Sequence, residues 1–482
     1  HGRYYIDGEI LKESVTKRGK ELTSEDTENI IYKLKEKVDN TKYIEFENKV
    51  FDKFVEFNSN RFFEILYSEE LDNEGYPLGA VPFTKIIKEK YKDRLSMVSF
   101  SGGKDSTVVS EVVRKALKEE SILHIFGDTT LEMPQTYEYI KEFQEKNPLI
   151  PFFIEKNEEN NFFEMCKIIG PPSRVKSWCC SIFKTGAIGT LMSSFEEKLL
   201  TFYGIRKIES QKRSKYQRVI HNQTKIEKQI VNSPIFYWLD IDIWLFILKE
   251  KVFVNELYYN GFSRVGCWVC PQKSYWNDII TSIFNNEEYK EWKKLLYDFF
   301  EEEKRTNIHE FIESGKWKIR QGGSELEISN KNALRKKECI SELNSFNYSL
   351  NKQINDDLFN LLKPFGKIIK NELVKNYLEY YLLDKNNNPL FKFMIYEGQN
   401  QIRITIMDNS DINLLNRIER QINKFNNCIY CQACNSTCPV NAIIVSNKKY
   451  IIDEKKCIHC KKCVMKFDSG CLVASALKIR KN

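Results

Sequence analysis

Glycine and proline are scarce in this chain, 20 and 12 among 482 residues, too few for a collagen-like repeat or a long disordered tract. Long apolar runs are missing too. None reaches the roughly 18 residues a membrane-crossing helix needs, which excludes an integral helical membrane protein. The opening residues, His1-Gly-Arg-Tyr-Tyr-Ile, lack the charged, then apolar, then small pattern of a secretory leader, and no Met precedes them. The expectation is a cytoplasmic protein, with room for residues upstream. Apolar residues at 42% and aromatics at 13% are ample for buried cores, and the length corresponds to about three domains.

Cysteine is what the chain has in quantity. There are 14, and eight of them fall within residues 428–471. A disulfide scaffold belongs to small secreted chains, so paired cysteines at short spacing in a 57.1 kDa chain without a leader point to metal. The formal charge is +7, and residues 426–482 hold ten basic against three acidic residues. A basic tail fits nucleic acid. It also fits lysines that offset metal clusters, since four thiolates around a four-iron cluster carry about −2 when oxidised.

The chain divides into five stretches. Residues 1–95 are charged and aromatic, with a helical pattern near 45–61. Residues 96–275 alternate apolar strands (95–100, 121–126, 150–154) with amphipathic helices (107–119, 134–146), the pattern of an α/β fold on a parallel sheet. Residues 276–385 read as mainly helical, broken by a Gly-Gly turn within 315–327. Residues 386–425 read as a small α+β element: a hairpin of 391–396 and 401–406, then a helix over 412–425. The cysteine-rich module takes 426–482.

The first motif is Ser101-Gly102-Gly103-Lys104-Asp105-Ser106, between a buried strand and a helix. Glycines permit a tight turn whose N–H groups face an anion at the helix N-terminus, while Ser101 and Ser106 add hydroxyls and Lys104 adds charge. A plain strand–turn–helix is the alternative. The spacing is not the Walker pattern. At the end of the next strand stand Asp128 and Thr129, suited to ribose or adenine. Glu132, Pro134 and Thr136 read equally as ordinary helix-start residues. Adjacent Cys179 and Cys180, with Cys267-x-x-Cys270 much later, could complete four thiolates for a metal, zinc being a natural one, or stay free thiols.

The loop resembles the pyrophosphate loop of the PP-loop superfamily, whose members bind adenine nucleotides and either adenylate substrates or reduce sulfonucleotides. Over 95–275 the ordered motifs resemble the PAPS/APS (sulfonucleotide) reductase family: Cys179-Cys180 with Cys267-x-x-Cys270; Lys184; Gly204-Ile-Arg206 through Ser210 to Arg213; Pro234, Trp238, Asp242 and Trp244; Asn255-x-Leu257-Tyr258 before Gly266-Cys267. The resemblance implies a [4Fe-4S] site on Cys179, Cys180, Cys267 and Cys270. It implies substrate contacts from Ser101 to Ser106 and from Asp128, Thr129 and Ser210, and catalytic roles for Lys184, Arg206 and Arg213. Singly, each Arg reads as a surface ion pair. The family's nucleophile lies in a Lys-x-Glu-Cys-Gly-(Ile/Leu)-His tail. Lys336-Lys337-Glu338-Cys339 matches its first part, but Ile340 replaces the Gly and no His follows. Cys339 is the candidate nucleophile, against a plain reading as a half-buried helix cysteine. Cys166 lies in an apolar stretch and reads as core.

In the tail, Cys428-x2-Cys431-x2-Cys434-x3-Cys438-Pro439 is the bacterial ferredoxin run. Cys457-x2-Cys460-x2-Cys463 repeats it, and Cys471 closes it after seven residues rather than three. The module resembles a two-[4Fe-4S] ferredoxin, with Cys428, Cys431, Cys434 and Cys471 on one cluster and Cys438, Cys457, Cys460 and Cys463 on the other. The whole resembles an archaeal-type assimilatory PAPS reductase fused to a ferredoxin, with three [4Fe-4S] clusters and no flavin in this chain. It implies reduction of PAPS or APS to sulfite in assimilatory sulfate reduction. Implied partners are an electron-donating flavoprotein subunit or ferredoxin and further copies in an oligomer, with no membrane. A PP-loop sulfurtransferase of tRNA thiolation or DNA phosphorothioate modification is the alternative, and only that reading brings in nucleic acid. A non-enzymatic electron carrier is a third.

Overall fold

In the computed structural model, residues 48–221, 226, 228–320, 334–371, 377–396 and 400–478 are described, together with 3–6, 9–13, 32–33 and 36. The expected helical residues 45–47, the hairpin turn at 397–399 and most of the 315–327 turn region lie outside them. The chain forms two units: 1–156 with 194–318, and 157–193 with 319–482.

The first unit opens with a hairpin of β1 (Arg3–Ile6) and β2 (Glu9–Glu13). Its centre is a six-stranded sheet in the order β5-β4-β3-β6-β8-β7. These strands are β3 (Leu95–Phe100), β4 (Leu123–Asp128), β5 (Phe152–Lys156), β6 (Leu199–Phe202), β7 (Val219–Ile220) and β8 (Gln229–Asn232). All neighbours run parallel except β7 with β8. β4 and β6 are almost wholly buried and β3 largely so, as parallel strands covered by helices must be, their polar members included. Val98, Leu200 and Phe202 pack with Val108, Val109, Val112 and Val113 of the helix Lys104–Leu117 and with Phe246 of the helix Asp240–Glu250. Phe62 and Leu66 of the helix Ser59–Tyr67 and Phe83 of the helix Ala80–Lys90 extend this core. A second cluster joins Phe100 and Phe126 to Tyr139, Ile140 and Phe143 of the helix Pro134–Lys146, which starts on a proline, as first helical turns allow. The unit is therefore an α/β fold with a parallel-sheet core.

The second unit departs from the expectation for 276–385. Beyond the helix Ile308–Glu313 and a short turn at Lys316–Ile319, the described residues up to 385 are mainly strands, with the α-helix Asp356–Leu362 among them. β9 (Arg335–Glu338), β10 (Ser345–Ser349), β11 (Lys367–Asn371), β12 (Tyr377–Leu383), β13 (Pro389–Tyr396) and β14 (Gln401–Ile406) form one antiparallel sheet in the order β11-β12-β13-β14-β10-β9. The expected 386–425 element is not separate, because β13 and β14 sit at the middle of that sheet. Phe346 and Tyr348, then Leu378, Tyr380 and Leu382, alternate at period two and pack on the helices Asp356–Leu362 and Leu414–Asn427. The hairpin of β15 (Ile443–Ser446) and β16 (Lys449–Ile452) adds Ile443, Val445, Tyr450 and Ile452 to the same core. The cysteine-rich module thus shares its hydrophobic centre with the sheet.

Residues 157–193, expected inside the nucleotide domain, belong to this second unit. They form the helix Phe162–Ile169, a π-helix over Cys180–Gly186 and the helix Ala187–Ser194. Trp178, stacked on Phe162 at 5.7 Å, fixes their turn by donating its indole N–H to Gly170 O at 3.0 Å. Among the described residues no helix is long and apolar enough to cross a membrane.

Candidate nucleotide site and cysteine centres

Residues 101–106 join β3 to the helix that starts at Lys104. Gly102 has φ +70°, a left-handed value that favours glycine. The turn is held from within and without. Ser106 Oγ donates to Gly103 O at 2.8 Å, and Ser101 N donates to Ser106 Oγ at 3.1 Å. Lys104 N donates to Tyr258 Oη at 2.9 Å, and Asn255 Nδ2 reaches Thr136 Oγ1 at 3.2 Å. Burial pushes the Tyr258 phenol pKa up, so this partner stays neutral. Gly204 brings a second backbone against the loop: a Cβ there would stand 2.8 Å from Asp105 C.

Two buried cations face this loop. Arg206 Nε donates to Asp105 Oδ1 at 2.6 Å, and Arg206 Nη2 donates to Asp240 Oδ1 at 2.7 Å. Lys104 Nζ lies 3.2 Å from Asp105 Oδ2 and 3.7 Å from Asp240 Oδ1. Arg213 and Ser210 lie farther out. Arg213 pairs with Glu209, its N–H donates to Ser210 Oγ at 3.1 Å, and Ser210 is exposed. Asp240 was missed in the sequence, because nothing in its spacing ties it to a loop 136 residues earlier.

At the end of β4, Asp128 accepts from Thr130 N and from Tyr137 Oη, both at 2.7 Å. Thr129 is buried and donates to Glu132 Oε1 at 2.9 Å, with Cys267 Sγ 3.2 Å away. Cys267, Cys270 and Lys273 follow one another in successive turns, and Lys273 Nζ folds back to donate to Trp268 O at 3.0 Å. Burial pushes the Lys273 pKa down to about 8, against the pull of Asp278. Cys179, Cys180 and the half-buried Lys184 belong to the second unit, whereas Cys267 and Cys270 belong to the first.

Within the second unit, Cys438, Cys457, Cys460 and Cys463 line one cavity, walled by Pro364, Ile443 and Ile452. Cys428, Cys431, Cys434 and Cys471 line another, beside Val445 and Tyr450. Among the described residues no group of three or more His, Cys, Asp or Glu is placed to hold a single metal ion. The donor chemistry of both cavities fits iron–sulfur clusters: four thiols each and mostly apolar walls. Burial, with Cys471 adding, pushes the Cys428 pKa up to about 12, and burial pushes Cys463 up to about 11. Such thiols ionise only when a strong positive charge is supplied, which is what metal provides. Lys424 contributes some, its buried ammonium donating to Cys463 O at 2.8 Å.

The segment bearing Cys179 and Cys180 packs on this module. Asn441 Nδ2 donates to Ser193 O at 2.7 Å, and Lys176 Nζ donates to Ser475 Oγ at 3.0 Å. At Gly189 a Cβ would fall 2.3 Å from Ser436 Cβ, so the helix and the cysteine loop meet with no room for a side chain. Cys166 is buried in the helix Phe162–Ile169. Cys339 is in no helix. It follows edge strand β9, its N–H donates to Ser345 O at 2.8 Å, and the next residue, Ile340, is fully exposed. The Ser341 hydroxyl, 3.3 Å away, holds the Cys339 thiol pKa below its usual value, and the charge of Arg403 adds to this.

Residues 96–273 match the family model of the phosphoadenosine phosphosulfate reductase domain. The chain is 35% identical over 254 residues to a protein of Methanocaldococcus jannaschii described as uncharacterized, covering 51% of each. It is 26% identical over 212 residues to the adenosine 5′-phosphosulfate reductase of Bacillus mycoides, covering 43% of this chain and 83% of that one. The chain spans about half the length of the two Methanocaldococcus jannaschii relatives it matches. Among solved structures, the phosphoadenylyl-sulfate reductase of Candida auris, a phosphate complex, aligns with a TM-score of 0.31 at 16% identity, over 42% of this chain and 98% of that one.

Proposed function

We propose that the chain is a sulfonucleotide reductase that releases sulfite from PAPS or APS and leaves adenosine 3′,5′-bisphosphate or AMP. One observation carries the reading. The stretch that matches the PAPS reductase domain places two buried cations, Lys104 and Arg206, at a glycine turn opening a helix. That arrangement suits a phosphate or sulfonate. Asp128 and Thr129 complete the nucleotide site, with Ser210, Arg213 and Lys184 toward the transferred group.

Cys339 is the proposed nucleophile. Its thiolate attacks the sulfonate sulfur, an S–S bond forms, and the sulfur–oxygen bond to the nucleotide phosphate breaks, its electron pair leaving on the phosphate oxygen. Two electrons from an external donor then split the S–S bond into the Cys339 thiolate and sulfite. [4Fe-4S] clusters on the eight tail cysteines, and one on Cys179, Cys180, Cys267 and Cys270, would supply one-electron carriers. A flavoprotein or ferredoxin with an acidic face is the proposed donor, steered by Lys448, Lys449, Lys455, Lys456, Lys461 and Lys462.

The complete loop, with Lys104 and both serines in place, favours a second reading, in which ATP activates a nucleic-acid site for sulfur insertion. One anaerobic assay separates the two: sulfite released from APS or PAPS with a reduced dye, against pyrophosphate released from ATP. Pyrophosphate without sulfite would overturn the reductase reading.

A further inference from the structure

Lys104 and Arg206 converge on a single carboxylate oxygen, Asp240 Oδ1, at 3.7 and 2.7 Å. The four groups of this cluster differ sharply in freedom. The Lys104 and Arg206 side chains are 7% and 4% exposed, and the guanidinium is pinned further by its bond to Trp238 O. Asp105 is 20% exposed and bonds both cations through its two oxygens. Asp240 is 72% exposed, at the first residue of the helix Asp240–Glu250. Its neighbour Asp242 is buried and occupied by Arg61 and by the N–H of Leu239. Asp240 is therefore the member that can leave the cluster and be solvated at once.

With two cations and two carboxylates the cluster is neutral. An anion reaching Lys104 and Arg206 meets no net attraction until Asp240 withdraws. Withdrawal restores a charge of +1 on groups that stay in place. We propose that Asp240 is a specificity-setting competitor, a carboxylate contending with the substrate's phosphate or sulfonate for Lys104 and Arg206. The proposal rests on the reading of residues 101–106 as a nucleotide site. Weak singly charged anions fail to displace a carboxylate held by two cations, whereas a multiply charged phosphate with several oxygens succeeds.

The test is calorimetric titration of the full chain with AMP, comparing wild type with Asp240→Asn. Asn keeps the shape and loses the charge. One charge-assisted contact corresponds to about a tenfold change in affinity, so Asp240→Asn should bind AMP roughly ten times more tightly. Asp240→Ser, which serves at a helix start, should do the same should the Asn protein fold poorly. Wild type binding AMP with both variants equal or weaker would overturn the competitor role and leave the nucleotide site standing. No AMP binding by any of the three would overturn both.

Discussion

Replacing Gly189 by alanine tests whether the Cys179–Cys180 segment and the cysteine-rich loop are packed rigidly. The added methyl would stand 2.3 Å from Ser436 Cβ and 3.0 Å from Ser436 Cα. Carbon atoms rest at about 3.5–4.0 Å, so the seam must open by more than about 1 Å. Neither side yields cheaply, since Ser436 Cβ is fixed to its backbone and the segment between Cys434 and Cys438 carries one thiol of each cavity. Helix propensity argues the other way, because alanine in place of a helical glycine gains up to about 1 kcal/mol. Overpacking costs about 1–3 kcal/mol. The expected balance is a local loss of about 1–2 kcal/mol. Hydrogen exchange should then quicken roughly five- to thirtyfold across 187–194 and 434–438, and iron per chain should fall in anaerobically prepared protein. Wild-type protection and wild-type iron in Gly189→Ala would refute the packing argument.

Arg218 is fully buried, pairs with Asp72 at 3.2 Å and donates to Pro77 O at 2.6 Å. Arg218→Met should cost about 3–5 kcal/mol in urea unfolding, because Asp72 is left charged and buried, and adding Asp72→Leu should recover part of it. Burial pushes the His124 pKa down to about 4 from 6.5, so the unfolded chain takes up the proton first. Its contribution, about 3 kcal/mol, is complete above pH 6.5 and lost as pH falls toward 4. His124→Gln should flatten urea stability over that window, and an unchanged slope would show that His124 is not its source. Cys339→Ser should abolish sulfite release while AMP affinity and iron content stay at wild type; full activity would move the attack to another group.

The parallel-sheet core of the first unit was largely legible. β3, β4 and β5 fall within about two residues of the expected strands, because each is a short stretch rich in apolar residues set between amphipathic helices; β3 and β4 are buried parallel strands, and β5 is an exposed edge. The antiparallel sheet was not legible. β9 is exposed at every residue and carries no alternation to read. Tyr377-Leu-Glu-Tyr-Tyr-Leu-Leu383 satisfies a helical stripe as readily as a strand, and only pairing with β11 and β13 decides it. The eight tail cysteines were readable because short loops set their spacing. The company kept by Asp240 and by Lys273 depends on strand order and on turns packed far from their neighbours in sequence.

The division of the chain between units also has a cost in time. Residues 157–193 leave the first unit's sequence early, yet the rest of their own unit begins only at 319. A ribosome adds about 5–20 residues per second, so Phe162, Trp178 and Phe183, all buried in the finished protein, emerge at least roughly seven seconds before the rest of their unit begins, with only one another and their own short segment to pack on. During that interval an apolar segment hangs from a half-built first unit. Synthesis of this protein should therefore depend on holding chaperones at that stage, and slower elongation over 194–318 should lower its soluble yield.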